Sequence, residues 1–210
     1  MWSWRVVCLS SDLIKAVSKA ILLGDTQAPN AAQKCLQSGI SIDEIVQNGV
    51  IKAWEEFCVW YERDPMESLK KWLDCYTATI KVLKLLDSSI NLPEAPRASI
   101  LVATVRGEGH VLMKEITSTL LRARGFKVYN YRKGVTYDDL SECFADPFLK
   151  FIVLSCVDEE TTPIVRSLIE SIRKNKPTLK IFAGGPMAAL VGADAVVSGL
   201  HALFKRVEVD

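Results

Sequence analysis

A carboxylate and an imidazole lie two residues apart in the segment 103–114, whose sequence is ATVRGEGHVLMK. The apolar run 100–105 is typical of a buried strand, and helical periodicity follows the histidine. Glu108 and His110 therefore fall on a strand-to-helix loop, where open α/β sheets bind their ligands. At this spacing Glu108 can accept a hydrogen bond from one imidazole nitrogen while the other nitrogen faces a ligand. The alternative is a solvated polar turn that binds nothing.

Several common ligand-binding signatures are missing from the sequence. Gly107 and Gly109 form a GxG pair, but Leu112 stands where a dinucleotide fingerprint has its third glycine. There is no GxxxxGK[ST] phosphate loop, no HExxH zinc motif and no GxSxG nucleophile elbow. The loop also lacks the hydroxyl groups with which flavodoxin-like sheets hold a flavin phosphate. These absences argue against nucleotide-dependent enzymes, zinc hydrolases and serine hydrolases.

Composition narrows the class of partner and the compartment. The chain has 210 residues, 49% of them hydrophobic, which suffices for one large or two small globular domains. Lys and Arg number 26 against 25 Asp and Glu, so we expect no nucleic-acid partner. No apolar run approaches the roughly 20 residues that cross a bilayer, so we expect no membrane partner. Six cysteines without a CxxC pair predict reduced thiols and a cytoplasmic protein. They are Cys8, Cys35, Cys58, Cys75, Cys143 and Cys156.

Residues 9–86 show helical periodicity throughout. The first predicted helix ends at Gly24, and a second covers 29–37. Five apolar residues spaced by three or four positions form one face of the first helix. They are Leu13, Ile14, Val17, Ile21 and Leu22.

Two longer helices complete the N-terminal region. Ser41 and Glu44 have capping-box spacing, which starts a helix that reaches Tyr61. Asp64 and Pro65 suit the start of the next helix, as cap and first-turn residue. Its predicted apolar face consists of Leu69, Leu73, Tyr76, Ile80 and Leu83. Four helices with short connections predict an antiparallel four-helix bundle over residues 1–90.

The composition changes after the last of these helices. Residues 91–98 contain two prolines and no periodicity, which predicts a linker. From residue 99 to 210, apolar strands alternate with helices, which is typical of a parallel sheet covered on both faces. The predicted strands are 99–105, 126–130, 150–154, 178–183 and 195–197, and the predicted helices are 111–124, 136–145, 160–173, 187–191 and 200–205. The fold class is therefore α/β: a helical bundle followed by a doubly wound five-stranded parallel sheet, Rossmann-like and flavodoxin-like.

Three polar segments are predicted to meet at the carboxyl edge of this sheet: 106–110, 155–162 and 183–186. Ser155 and Thr161 offer hydroxyl groups, and Gly184 with Gly185 leaves the backbone open to a flat ligand. Each feature also has a purely structural explanation, as a strand-end hydroxyl, a helix cap and a tight turn.

Together the three segments resemble the cobalamin-binding domain of corrinoid methyltransferases, including corrinoid carrier proteins and the matching module of methionine synthase. That family has an Asp-x-His-x-x-Gly loop, a Ser-x-Leu segment and a Gly-Gly turn. The corresponding residues here are Glu108-Gly109-His110-Val111-Leu112-Met113, Ser155-Cys156-Val157 and Gly184-Gly185. The helical half also resembles the four-helix cap of such carriers.

The resemblance implies a role for each matching residue. His110 would be the lower axial ligand of cobalt and would displace the dimethylbenzimidazole of cobalamin, whose tail would lie beside Ser155 and over the glycine pair. Glu108 would accept a hydrogen bond from His110, and Thr161 would extend that chain. The cofactor would be cobalamin, as methylcobalamin or cob(I)alamin.

Two residues depart from the family pattern. Glu108 is one methylene longer than the family's aspartate, and Met113 replaces a glycine that leaves room near the cofactor tail. In the bundle, the resemblance places Trp54, Phe57, Cys58 or Tyr61 over the upper cobalt face, and packing in the bundle core is the alternative.

The function that the resemblance implies is transport of a methyl group on cobalt between two methyltransferases, one that demethylates a substrate and one that methylates an acceptor. A reductive activator is a further expected partner. Alone, such a carrier is catalytically incomplete. The alternatives are a cobalamin-responsive regulatory module and an interaction module without a cofactor.

Overall fold

The computed structural model describes residues 3–131 and 133–209, and side chains within 10–131 and 133–208. The Cys8 side chain lies outside this description. The chain divides into two compact units, with Asn91 in the first and Leu92 in the second. The first unit is helical and the second contains the sheet.

The helical unit contains five α-helices and one π-helical segment in the part of the chain that the structure describes. They are α1 (Ser3–Leu22), α2 (Ala28–Gln37), α3 (Ile42–Ile45), the π-helical segment Val46–Ile51, α4 (Lys52–Arg63) and α5 (Pro65–Ser88). The predicted face of α1 is confirmed at Ile14, Val17 and Ile21, all of which are buried. Gly24, with φ of +64°, ends this helix as expected.

Side-chain caps start the two longer helical stretches. The Ser41 hydroxyl accepts a hydrogen bond from the Glu44 N–H at 3.2 Å. Asp64 accepts one from the Glu67 N–H at 3.2 Å, and Pro65 occupies the first helical position. Each cap satisfies an N–H group that the helix itself leaves unpaired, so both predicted starts are confirmed.

The helix predicted from Ser41 to Tyr61 is interrupted by its π-helical segment. Gly49 lies in this segment and faces α1. A Cβ atom at Gly49 would lie 3.3 Å from Val17 Cγ1, so the glycine allows the two helices to pack closely.

The predicted apolar face of α5 is wrong. Leu69 and Leu73 are 58% and 62% exposed, and Leu83 is the one member of the predicted set that is fully buried. The buried face is rotated by about one position and consists largely of small residues: Ser68, Cys75, Ala78, Thr79, Val82, Leu83 and Leu86. Small side chains permit close packing between helices, but they contribute little to an apolar pattern in the sequence.

The residues expected above cobalt occupy different environments in the helical unit. Phe57 is buried, and the Trp54 indole donates a hydrogen bond to the Thr79 hydroxyl at 3.0 Å. Cys58 and Tyr61 are exposed.

The second unit contains a five-stranded parallel sheet, which confirms the predicted fold class. Its strands are β1 (Ser99–Ala103), β2 (Lys127–Asn130), β3 (Leu149–Ser155), β4 (Lys180–Gly184) and β5 (Ala195–Val197), in the spatial order β2-β1-β3-β4-β5. This is the order of a flavodoxin-like doubly wound sheet. All five residues of β1 are buried, because neighbouring strands and helices on both faces cover it.

The helices of this unit are α6 (Leu112–Ala123), α7 (Ser141–Phe144), α8 (Thr162–Asn175) and α9 (Leu200–Val209). Two predicted helices are shorter than expected. The 136–145 stretch forms the 3-10 turn Asp138–Leu140 followed by α7, and the 187–191 stretch forms the 3-10 turn Ala188–Leu190. In the first case Thr136 donates from its N–H and its hydroxyl to Asp139, both at 2.8 Å, so the helical region starts later.

Two findings bear on the remaining expectations from composition. Within the described ranges, no helix is both long and apolar enough to cross a membrane. The five cysteines whose side chains are described are all free thiols: Cys35, Cys58, Cys75, Cys143 and Cys156.

At the amino edge of the sheet, the Asp146 carboxylate is a hydrogen-bonding centre. It accepts hydrogen bonds from the Ser99 hydroxyl, the Tyr129 hydroxyl, the Phe148 N–H and the Lys127 ammonium, at 2.7 to 3.0 Å. Burial raises the pKa of Asp146, but these donors outweigh it and hold the pKa well below its usual range. The ionised carboxylate therefore stabilises the folded state.

We predict that Asp146→Asn lowers the free energy of unfolding at neutral pH by about 2 kcal/mol, because four donors lose a charged and largely buried acceptor. A depressed folded-state pKa stabilises the protein above the unfolded value of about 3.9, and this contribution is lost as the pH falls below it. The variant should therefore lose less stability than the parent between neutral and acid pH in urea titrations. The exposed Asp138→Asn is the control, and equal acid sensitivity of variant and parent would refute the prediction.

Candidate functional site

The loop between β1 and α6 carries the carboxylate and the imidazole to the carboxyl edge of the sheet, as predicted. Gly107 has φ of +93°, which turns the chain directly before Glu108. The Glu108 N–H then donates to the Val105 carbonyl at 3.2 Å, which closes the turn. The loop thus reverses direction before His110 and the start of α6.

Glu108 is the buried centre of the site, since its side chain is fully shielded from solvent. One carboxylate oxygen, Oε1, accepts the His110 N–H at 2.9 Å and lies 3.1 Å from His110 Nδ1. The other oxygen, Oε2, accepts the N–H groups of Val157 and Asp158, both at 3.0 Å. The Thr161 hydroxyl lies 3.4 Å from Oε2 and makes its shorter hydrogen bond, at 2.9 Å, to the Asp158 carbonyl. A single carboxylate therefore joins the loop after β1 to the loop after β3.

These donors keep Glu108 ionised. Burial by itself raises the pKa of Glu108, but the backbone N–H groups of Asp158, His110 and Val157 outweigh it and lower the pKa to about 2. The carboxylate also acts on its surroundings. Burial, together with the nearby charge of Glu108, raises the pKa of the Cys156 thiol to about 11, so this thiol is protonated and unreactive at neutral pH.

A second carboxylate contacts the same imidazole nitrogen. Asp158 Oδ1 lies 3.1 Å from His110 Nδ1, and Asp158 Oδ2 accepts the Gly109 N–H at 3.4 Å. Asp158 was not among the predicted site residues. Its position three residues after Ser155, at the end of a strand next to β1, places it near the site, but the sequence does not show its contact with the ring.

The contacts at Nδ1 determine which face of the imidazole is available. In the neutral imidazole, two carboxylate oxygens at 3.1 Å favour a proton on Nδ1, which leaves the lone pair on Nε2. The His110 side chain is 62% exposed, and no residue that the structure describes hydrogen-bonds to Nε2. His110 therefore presents an electron-pair donor to solvent from a fixed position.

The other two predicted segments lie side by side. Ser155 pairs with Gly184 in the β3–β4 register, and the Cys156 N–H donates to the Gly184 carbonyl at 2.8 Å. Gly185 has φ of +106°, and a Cβ atom there would lie 2.2 Å from the Cys156 carbonyl oxygen. The missing side chain of Gly185 therefore makes room for the neighbouring protein backbone, in addition to any role toward a ligand.

The residues predicted from the sequence thus fall into two clusters, and two further residues lie at the start of α6. Glu108, His110 and Gly109 cluster with the Val157 N–H and the Thr161 hydroxyl. Ser155 forms the second group with the glycine pair. Val111 and Met113 begin α6, and Met113 is 48% exposed, so it does not fill the interior of the sheet unit.

A buried lysine connects the start of α6 to the end of β2. Lys114 is fully buried, and its ammonium contacts the Asn130 side-chain oxygen and the Tyr131 carbonyl at 2.7 Å and the Glu115 carboxylate at 2.8 Å. A buried ammonium is stable only with such partners, so these contacts fix the helix against the end of β2.

A family comparison identifies the sheet unit. Residues 98–203, about half of the chain, match the B12-binding domain model. The chain belongs to the B12-binding domain family. Cobalamin is therefore its cofactor, and the resemblance seen in the sequence is confirmed.

The chain is also similar to curated corrinoid proteins over most of its length. It is 26% identical over 199 residues to dimethylamine corrinoid protein 1 of Methanosarcina acetivorans, with 91% of each chain covered. It is 25% identical over 195 residues to dimethylamine corrinoid protein 1 of Methanosarcina mazei, with 91% of this chain and 90% of the other covered.

Solved structures include proteins of similar fold. The monomethylamine corrinoid protein of Methanosarcina barkeri matches with a TM-score of 0.74 at 15% identity, covering 95% of this chain and 99% of the other. A cobalamin-binding protein of Desulfitobacterium hafniense matches with a TM-score of 0.51 at 21% identity, covering 93% and 97%.

The residues present fit a cobalamin site. An imidazole with its Nδ1 held by carboxylates offers Nε2 to a transition metal, which is the usual arrangement of a histidine ligand. Apart from its two chain neighbours, no residue comes within 4 Å of where a Cβ atom of Gly109 would lie, so this part of the loop is not packed against the rest of the unit. Met113 is exposed and does not block the interior of the unit.

We predict that Gly185→Ala destabilises the protein by about 3 kcal/mol, because the new Cβ would overlap the Cys156 carbonyl and the positive φ is unfavourable for alanine. Gly192→Ala is the matched control. Gly192 also has positive φ, of +75°, but a Cβ atom there meets nothing within 4 Å, so we expect a loss of about 1 kcal/mol. Equal losses in chemical denaturation would show that the Cys156 contact is unimportant.

Proposed function

We propose that this protein carries a methyl group on cobalt between two methyltransferases, with cobalamin bound base-off and His110 as the lower ligand. One observation supports this most strongly: a solvent-facing imidazole whose Nδ1 is held by a buried, ionised carboxylate. We further propose residues 1–90 as a helical domain, 91–98 as a linker and 99–210 as the cobalamin-binding domain.

The bound cofactor would supply a cobalt centre that accepts and returns a methyl group. The protein's part would be to hold the His110 imidazole and to adjust the strength of its free nitrogen as a donor. Glu108 does this through His110 Nδ1, because a carboxylate behind an imidazole raises the basicity of the opposite nitrogen. Thr161 supports Glu108 indirectly: its hydroxyl donates to the Asp158 carbonyl at 2.9 Å and so holds the residue whose N–H donates to Glu108. Ser155 and Gly184-Gly185 would contact the displaced tail of the cofactor.

The proposed partners are a methyltransferase specific for the methyl donor, a second specific for the acceptor, and a reductive activator. The names of two relatives support the corrinoid part of this proposal, since both are called dimethylamine corrinoid protein 1. The donor would be selected by the partner enzyme.

We expect the protein to bind hydroxocobalamin and to shift its visible spectrum to that of a histidine-ligated, base-off form. His110→Ala should lose that shift and bind cobalamin at least about tenfold more weakly, because the axial nitrogen is gone. His201→Ala is the control: it removes the other histidine, which is exposed on α9, and should match the parent. A His110→Ala variant with the parent spectrum and affinity would exclude His110 as the ligand.

Methyl transfer distinguishes a carrier from a cobalamin-dependent sensor. The loaded and reduced protein should gain a methyl group when a methylated amine and a matching methyltransferase are supplied, as measured by visible absorbance and isotope transfer. Normal cobalamin binding without methyl transfer from a panel of methylamine, methanol and aryl methyl ether systems would favour the regulatory alternative.

A further inference from the structure

The His110 ring contacts a second carboxylate, that of Asp158, which has no role in the function proposed above. We propose that Asp158 is a second positioning residue for His110, which acts with Glu108 to hold the imidazole in one tautomer and one orientation. This inference rests on the proposed function, in which His110 is a metal ligand. It adds a residue that lies outside the three motifs on which the resemblance depends.

The two carboxylates reach the ring from different parts of the chain. Glu108 belongs to the loop after β1, two residues before the histidine, and Asp158 belongs to the loop after β3. Both place an oxygen 3.1 Å from His110 Nδ1. The imidazole is therefore linked to two loops at once, and rotation of the ring would break contacts with both.

The contact pattern favours one tautomer. A neutral imidazole carries a single ring proton, on Nδ1 or on Nε2. With the proton on Nδ1, the ring donates to both anionic oxygens, whereas the other tautomer would turn a lone pair toward them. Two carboxylates therefore favour the Nδ1–H form more strongly than Glu108 alone and leave the Nε2 lone pair for a metal.

Glu108 alone gives a less complete restraint. Its Oε1 atom is shared between the His110 N–H and the ring, so the contact with Nδ1 competes with a backbone hydrogen bond. Asp158 adds an acceptor for the ring and also contacts the backbone of the loop, through the Gly109 N–H at 3.4 Å. It thereby restrains the residue before the histidine as well as the histidine itself.

The local backbone offsets the repulsion between the two carboxylates. The Asp158 N–H donates to Glu108 Oε2 at 3.0 Å, as does the Val157 N–H, and the Thr161 hydroxyl lies 3.4 Å from the same oxygen. The Asp158 main chain thus stabilises Glu108 while its side chain holds the ring. This double contact places Asp158 within the hydrogen-bonded cluster instead of on a solvated surface.

The tautomer is measured directly in the cofactor-free protein. We would label histidine with nitrogen-15 and record long-range proton–nitrogen NMR spectra well above the ordinary imidazole pKa of about 6.5. We expect His110 of the parent to show the Nδ1–H pattern and Asp158→Ala to show a mixture of both tautomers. Glu159→Ala removes an exposed neighbouring carboxylate and should match the parent, and exposed His201 provides an internal reference. An unchanged His110 pattern in Asp158→Ala would overturn the proposal.

A double-mutant cycle on cobalamin affinity tests whether Asp158 acts through the histidine. Asp158→Ala should weaken hydroxocobalamin binding by about tenfold in the parent and have no effect in the His110→Ala background. Equal weakening in both backgrounds would indicate a general structural role and overturn the proposal. If Asp158→Ala does not fold, Asp158→Asn removes the charge at nearly the same shape and should shift both measurements in the same direction.

The same experiments separate this inference from the proposed function. If His110→Ala binds cobalamin as tightly as the parent, His110 is not the ligand and the proposed function fails. The NMR measurement needs no cofactor, so it still decides whether Asp158 holds the ring.

Discussion

The structure around the site depends on the buried carboxylate of Glu108. It accepts the N–H groups of His110, Val157 and Asp158, and these donors belong to two loops that are far apart in sequence. Without this acceptor, several sheltered N–H groups would lose their partner, which costs about 1 to 3 kcal/mol for each group. The same carboxylate determines the position of the imidazole, so the stability of the loops and the presentation of a metal ligand have one physical origin.

The topology of the sheet makes this contact possible. β1 lies between β2 and β3, so the chain moves to one side of β1 for the second strand and to the other side for the third. The loops after β1 and β3 therefore meet at the switch point of the sheet, where doubly wound folds form a crevice. Lys114 fixes the start of α6 against the end of β2 on the opposite side of the loop. The loop that carries His110 is therefore held on one side by the contacts of Glu108 and on the other by those of Lys114.

Much of the fold and part of the site could be predicted from the sequence. Buried parallel strands are continuous apolar runs, so β1 and β3 were evident, and the capping residues Ser41 and Asp64 marked helix starts through local chemistry. The buried face of α5 was mispredicted because Cys75, Ala78 and Thr79 pack closely without a strong apolar signal.

Glu108 and His110 were found through their spacing. Asp158 was missed because its contact with the ring depends on how two distant loops meet, and Gly185 needs its positive φ for a backbone contact that sequence does not reveal.

The central claim is that a nitrogen of His110 binds cobalt. The most direct test is electron paramagnetic resonance of the one-electron-reduced, cobalamin-loaded protein, prepared with nitrogen-15 histidine in the His201→Ala variant and with unlabelled cofactor. Coupling to the axial nitrogen splits each cobalt line into a doublet for nitrogen-15 and into a triplet for nitrogen-14. We predict doublets. Triplets would show that the cofactor's own benzimidazole remains bound, and lines without nitrogen splitting would show that no nitrogen is bound; either result would contradict His110 as the lower ligand.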